Sequence, residues 1–339
     1  MATGFKVTQS IGNYQVDVDD ILMRREYFSD GTLWTWGLNV SSQLGDGTAT
    51  SKSSPVTTAG GGTNWKQVAS GAKHTAVIKT DGTLWTWGYN NFGGLGDGTA
   101  TNRSSPVTTA GGGTNWKQVA CGGDQTAAIK TDGTLWTWGF NEIGYLGDGT
   151  TTNRSSPVTT AGGGTNWKQV AGGYYHTAAI KTDGTLWIWG RNWPSGFLGD
   201  GTATDRSSPV TTAGGGTNWK QVACGLFHTA AIKTDGTLWT WGSNSYGKLG
   251  DGTTISRSSP VTTAGGGTNW KQVAGGYEYI AAIKTDGTLW TWGYNGYGQL
   301  GDGTTTSRSS PGTTAGGGTN WKQVACGENH TAATTDLSV

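Results

Sequence analysis

The sequence predicts an all-β propeller, and three observations predict it. DGTLWTWG begins at Asp30, Asp81, Asp132, Asp183 (with Ile188 for its second Thr), Asp235 and Asp286, at intervals of 51, 51, 51, 52 and 51 residues. NWKQVA recurs in step from Asn64, Asn115, Asn166, Asn218, Asn269 and Asn320. Helical periodicity is absent, and the 61 Gly recur too often for a helix to persist. A fixed period of roughly 40–50 residues filled with short strands belongs to a propeller, one sheet per period.

One repeat supplies four strands, A to D. WKQVA, from Trp65, alternates in polarity and forms strand A. HTAVIKT, from His74 to Thr80, forms strand B. Asp81-Gly82 is a hairpin turn, because glycine accepts a positive φ without a steric penalty. TLWTWG, from Thr83 to Gly88, forms strand C, with Trp85 and Trp87 on one face and Leu84 and Thr86 on the other. After LGDGT, SSPVTTA forms a weaker strand D, where Pro106 fits an outer edge that needs no N–H. AGGGTN leads to the next Trp. Eighteen of the 19 Trp fall three to a repeat, Trp193 being the exception, so apolar burial concentrates in a ring of inter-blade contacts.

The chain enters the repeats at strands C and D and leaves them at strands A and B. The simplest closure pairs the two ends in one composite blade, giving six four-stranded antiparallel blades over 30–339 behind an N-terminal arm, 1–29. The alternative is seven blades. There Tyr14 to Ser29 would form a degenerate A–B pair, residues 4–12 would complete the last blade, and Arg24, Arg25 and Glu26 would stand where other repeats mostly carry Thr, Ala and Ala.

With 23 basic and 22 acidic residues, a formal charge of +1, nothing attracts nucleic acid or an anionic membrane. No stretch approaches the roughly 20 apolar residues of a membrane span, so no membrane insertion is expected. MATGFKVTQSIGNYQ lacks the pattern of a secretory signal, which implies synthesis in a cytoplasm.

CGLFHTAAIKTDGTLWTWG (Cys224 to Gly242) and YNGYGQLGDGT (Tyr294 to Thr304) resemble the regulator-of-chromosome-condensation repeat family over about residues 30–335. The resemblance implies a propeller, usually of seven blades. Its eukaryotic founder is a nucleotide-exchange factor for a small GTPase and binds chromatin; bacterial relatives include propellers that inhibit β-lactamases. The opening VDVDDILMRREYFSDG, joined to near-perfect repeats, is similar to proteins of marine and cyanobacterial phages.

The repeats differ mainly in their A–B tips, their C–D loops and a stretch after LGDGT. In an up-and-down sheet the tips and loops emerge on one face, whereas TDG and AGGGTN keep the other face uniform. The tips offer Lys73, Tyr174, Tyr175, Phe227, Tyr277 and Glu278. The C–D loops offer Phe92, Glu142, Tyr145, Trp193, Phe197, Tyr246 and Tyr297, and the loop of Trp193-Pro194 alone has an extra residue. Rigid aromatics on loops suit a binding surface for a protein or glycan; drift at exposed tips after duplication is the plain alternative.

His74, His176, His228 and His330 share a position with Gln125 and Tyr279, which points to a structural hydrogen bond rather than a catalytic base. Cys121, Cys224 and Cys326 alternate with Ser70, Gly172 and Gly275; so far apart in a ring, they are expected as free buried thiols. LGDGT lacks the acidic ligands of a calcium loop, and AGGG lacks the helix and Lys of a phosphate cradle. No enzyme, metal or cofactor is expected. The expected function is a non-enzymatic propeller of a phage virion, a tail or host-recognition component, attached to a larger assembly through an arm bearing Asp17, Asp19, Asp20, Arg24 and Arg25. The alternative is a soluble regulator, either a GTPase exchange factor or an enzyme inhibitor.

Overall fold

The structure, a computed structural model, describes residues 31–335. Among these, five four-stranded antiparallel sheets follow one another, spanning 65–108, 116–159, 167–211, 219–262 and 270–313. In the first, strand A is Trp65–Ser70, B is His74–Lys79, C is Leu84–Gly88 and D is Arg103–Thr108. The register places Val68 opposite Val77, Val77 opposite Trp85 and Thr86 opposite Val107, and the C–D ladder shifts between Thr86 and Gly88. The chain's ends supply two two-stranded sheets: a C–D half (Trp34–Gly37 with Lys52–Thr57) and an A–B half (Trp321–Cys326 with Thr331–Thr335). The propeller of four-stranded blades expected from the repeats is therefore present.

The core lies between the sheets. Ile78 and Leu84 of one blade bury against Trp116, Val119 and Trp138 of the next, and the layer recurs around the ring. The second Trp of strand C is fully buried in each of the five complete blades. Its place is set by a glycine of the preceding blade. Gly45, Gly96, Gly147, Gly199 and Gly250 all have left-handed φ. A β carbon there would come within 2.5–2.6 Å of Trp87, Trp138, Trp189, Trp241 and Trp292 respectively. Only glycine both adopts that φ and leaves room for the ring.

Polar bonds tie the same seams. Trp87, Trp189 and Trp292 donate from Nε1 to the carbonyls of Gln43, Tyr145 and Lys248 in the blade before. Neighbouring A strands share no ladder, yet Gln67 donates to Val119 O at 3.1 Å and accepts from Val119 N at 3.1 Å. This amide pairing serves two buried backbone groups that would otherwise cost free energy. At the outer edge, Gly98 N bonds Ser155 O of the next strand D at 2.8 Å, a lock repeated from Gly47, Gly149, Gly201 and Gly252.

Five blades are complete, and the chain's ends supply the strands of the closing one as two separate halves. Among the described residues no ladder joins Thr331–Thr335 to Trp34–Gly37. Trp36 does not fill the slot at Gly301, whose nearest neighbour for a β carbon is Thr314 at 3.8 Å. Gly303 makes no outer lock to the strand Lys52–Thr57. Thr331 Oγ1 bonds Gln299 O at 2.8 Å and Thr75 Oγ1 bonds Gln43 O at 2.9 Å, so each end half keeps the usual spacing to its own neighbour. The seven-blade alternative adds Tyr14 to Ser29 and residues 4–12, which lie outside the described residues.

Trp241→Ala, at an occupied slot, is expected to lower unfolding free energy by about 3–5 kcal/mol. Trp36→Ala, at the end half, is expected to lower it by less than about 2 kcal/mol. Urea denaturation compares them directly; equal losses would show that Trp36 is seated like the others.

Candidate functional site

The A–B tips and C–D loops share one end of every blade. The carbonyl of each second tip residue accepts the N–H that opens the C–D loop, as in Tyr89 N to Lys73 O, Phe140 N to Asp124 O and Arg191 N to Tyr175 O. The hairpin turns and AGGGTN connections meet at the opposite end, where Trp116 N bonds Gly82 O and Thr131 N bonds Asn115 O.

The first tip residues surround the ring axis. Ala72, Tyr174, Leu226, Tyr277 and Glu328 line an axial cavity of about 120 Å³, with Cys121, Cys224 and Cys326 on its wall. Tyr174 and Tyr277, two blades apart, meet edge to face at 6.2 Å. The Tyr174 ring rests on Gly123, where a β carbon would lie 3.1 Å from Cδ1.

The second tip residues turn outward. Lys73 is exposed, with Nζ 5.5 Å from the centre of the Tyr89 ring. Tyr175 stacks on Phe227 at 5.1 Å, beneath the Arg191 guanidinium at 5.3 Å. Glu278 pairs with Lys248, whose side chain is wholly buried. Burial pulls the Lys248 ammonium down, and Glu278 opposes that pull.

Of the C–D residues, Trp193, Tyr246 and Tyr297 stand 60%, 51% and 71% exposed, and Glu142 is exposed. Phe92 is half-buried against Phe140, 4.8 Å away. Tyr145 and Phe197 correct the expectation: both are buried beneath the face. Each precedes the Leu-Gly step whose peptide serves the next blade. Tyr145 O accepts Thr177 Oγ1 and Trp189 Nε1, and Phe197 O accepts Thr229 Oγ1. Their rings are thereby held under the neighbouring tip, against Tyr175 and Phe227. The extra residue of the Trp193 loop is anchored by Asp205, which accepts the N–H groups of Asn192 and Trp193. Asp17, Asp19, Asp20, Arg24 and Arg25 lie outside the described residues.

The shared histidine position makes seam bonds. His74 Nε2 lies 2.9 Å from Thr126 Oγ1 and His176 Nε2 lies 2.8 Å from Thr229 Oγ1. Gln125 replaces the imidazole with a bond to Gly173 O at 2.9 Å. His228 has lost the threonine partner of this position, since Ile280 stands where the other repeats have Thr. The three cysteines are free thiols, and burial pushes Cys326 up to about 12. Among the described residues no cluster of three His, Cys, Asp or Glu could hold a metal ion. No helix there is long and apolar enough to cross a membrane.

Three features had no reading in the sequence. The invariant Asn of the C–D loop is buried: Asn90 donates to Asp97, Thr99 O and Thr101 O, so an amide fills the centre of LGDGT. Burial raises Asp97, but bonds from Thr99 and Arg103 outweigh it and hold the carboxyl below its ordinary value. On the opposite face Lys79 Nζ sits 4.5 and 4.3 Å from the Trp65 and Trp85 ring centres, repeated at Lys130, Lys181, Lys233 and Lys284. The Lys248–Glu278 pair is the third; the Gln, Gly, Tyr and Phe at equivalent positions gave no hint of a buried base.

Comparison with known proteins gives a consistent picture. Residues 30–78, 81–129, 132–180, 183–232, 235–283 and 286–334 each match the family model described as regulator of chromosome condensation (RCC1) repeat. The ultraviolet-B receptor UVR8 of Arabidopsis thaliana is 36% identical over 311 residues, covering 89% of this chain and 70% of that protein. The E3 ubiquitin-protein ligase HERC2 of Homo sapiens is 32% identical over 279 residues, covering 80% of this chain but only 6% of that protein. The structure of yeast RCC1 (Prp20) bound to Kap60 superposes with a TM-score of 0.76 at 18% identity, covering 99% of this chain and 84% of that one, a likeness of fold.

The histidines give the molecule an acid limit. Burial holds His74 at about 4 and His176 at about 3 and lowers His228 and His330, whereas the unfolded chain titrates near 6.5. Between these values the unfolded state binds protons that the folded state refuses, so stability falls as pH drops from about 6.5 towards 4. Melting temperature against pH is expected to show that fall. His176→Gln, which copies the amide found naturally at Gln125, is expected to flatten it.

Proposed function

We propose that this chain, which belongs to the regulator of chromosome condensation (RCC1) repeat family, binds a protein or glycan through the face of its A–B tips and C–D loops. Propellers of this family are binding and regulatory scaffolds, and the names of two relatives, a receptor and a protein bound to Kap60, describe binding. The observation that carries the reading is the contrast between frame and tips. Seams and strands repeat almost without change, while one end of the blades alone varies and presents Trp193, Tyr246 and Tyr297 to solvent. Exposed aromatics reduce solubility unless a partner covers them, and they dominate binding energy where one does.

The finer reading is a virion component that recognises a host, attached through residues 1–29. Its support is the similarity of VDVDDILMRREYFSDG to phage proteins. The propeller itself would then be synthesised in a cytoplasm and carried outside on the particle.

The test uses the triple variant Trp193→Ser, Tyr246→Ser, Tyr297→Ser. Its melting temperature is expected to match that of the parent, because all three side chains are mostly exposed. On arrays of immobilised cell-surface glycans and outer-membrane proteins, the parent is expected to be retained and the variant to lose at least about tenfold in affinity. Equal retention of both proteins would overturn the assignment of the face.

A further inference from the structure

The end of the blades opposite the tips hardly varies, and it is basic. Each complete blade brings two lysines there against one aspartate. The first is the second residue of strand A, which is Lys66, Lys117, Lys168, Lys220, Lys271 or Lys322. It stands at the register shift between the Trp and Gln of that strand, and it is exposed in all six repeats. The second closes strand B, where Lys79 lies opposite Trp65. Its ammonium rests over two indoles and so keeps a fixed place. The aspartate belongs to the hairpin turn. Asp81 accepts the N–H and the hydroxyl of Thr83 at 2.9 and 2.7 Å, inside its own turn. Among the described residues, Lys66, Lys117, Lys168, Lys220 and Lys271 join no ion pair.

The tip end is different. Arg103, Arg154, Arg206, Arg257 and Arg308 each meet the aspartate of their own LGDGT, and Lys248 meets Glu278. A total of 23 basic and 22 acidic residues therefore hides a division. Charges pair off towards the tips, and a surplus of ammonium groups collects at the other end. The chain average gave no reason to expect an anionic partner; this placement gives one.

Geometry narrows the partner. Trp116 N bonds Gly82 O at 3.0 Å, and the same bond ties each hairpin turn to the next strand A from Gly31 to Gly287. Equivalent lysines are thus held in step around the axis, in a plane across it. The AGGG connections add no bulky side chain that would hold a flat partner away. A planar anionic surface meets every lysine of the ring at once. A cylinder, such as duplex nucleic acid, meets only those along one line. Attraction grows with each lysine near the surface, so the plane is favoured.

We propose that this uniform end docks on the surface of a lipid bilayer bearing anionic head groups, through its ring of strand-A lysines. The propeller lies on the bilayer without crossing it, and the tip face points away from the membrane. The proposal is independent of what the tips bind.

The test is cosedimentation with vesicles of phosphatidylcholine alone and of phosphatidylcholine with about one third phosphatidylserine. At about 0.1 M NaCl the protein is expected to pellet with the anionic vesicles and to stay in solution with the neutral ones. Raising the salt to about 1 M, which shortens the screening length from about 10 to about 3 Å, is expected to release it. The variant Lys117→Gln, Lys168→Gln, Lys220→Gln is expected to melt like the parent, because all three side chains are exposed. It is expected to bind anionic vesicles at least about tenfold more weakly. Soluble glycerophosphoserine, which offers one head group and no plane, is expected not to displace the protein. The tip variant Trp193→Ser, Tyr246→Ser, Tyr297→Ser is expected to sediment like the parent, so the two faces are read separately. Equal partition onto both kinds of vesicle, partition onto neither, or undiminished binding by the lysine variant would overturn the proposal. So would a random-sequence duplex DNA that draws the protein off the anionic vesicles at equal phosphate concentration, since it would assign the face to nucleic acid.

Discussion

The insertion of one indole against one glycine fixes everything else in this molecule. A propeller blade has no covalent link to its neighbour beyond a short connection, so its angle must come from side chains. Here the angle comes from a Trp ring seated where any β carbon would collide, on a backbone turn that only glycine makes freely. Tryptophan brings a large buried area to a chain only 33% hydrophobic. Once the ring is seated, the Gln amide bridges, the threonine bonds and the outer locks fall into register at the same seam. The tips are then carried at fixed spacing, and their chemistry varies without disturbing the frame.

That division explains what was legible in the sequence. Strand identity, hairpin turns and the shared face of the variable loops followed from period, alternation and Asp-Gly steps, because these are local. Ring closure was not legible. It depends on the angle at each seam, which no single repeat encodes. Tyr145 and Phe197 misled for a related reason. Their sequence position is in a variable loop, but the peptide they carry is a bonding partner of the next blade, 32 residues ahead. Variation there adjusts packing below the surface. Asn90 and its equivalents were invisible in the opposite sense: an invariant polar residue in a Gly-rich loop reads as solvated, yet it is the buried hub of that loop.

The seam between the blades 219–262 and 270–313 departs from the others in a coordinated way. Ile280 replaces threonine, Lys248 enters the loop and Glu278 answers it. His228 is left without a threonine across the seam. Polar seam bonds have been exchanged there for an ion pair with little access to water. Breaking such a pair costs more than the pair contributes, because the surviving charge stays buried. This seam thus tolerates few substitutions, in contrast to the near-identical ones around it.

The fit of indole against glycine carries a mechanical consequence. Each complete blade is gripped by a ring that inserts into the blade before it, so a push on one tip is passed along the frame from seam to seam. In such an array each unit leans mainly on its neighbours, and an emptied slot loosens its own joint before any distant one.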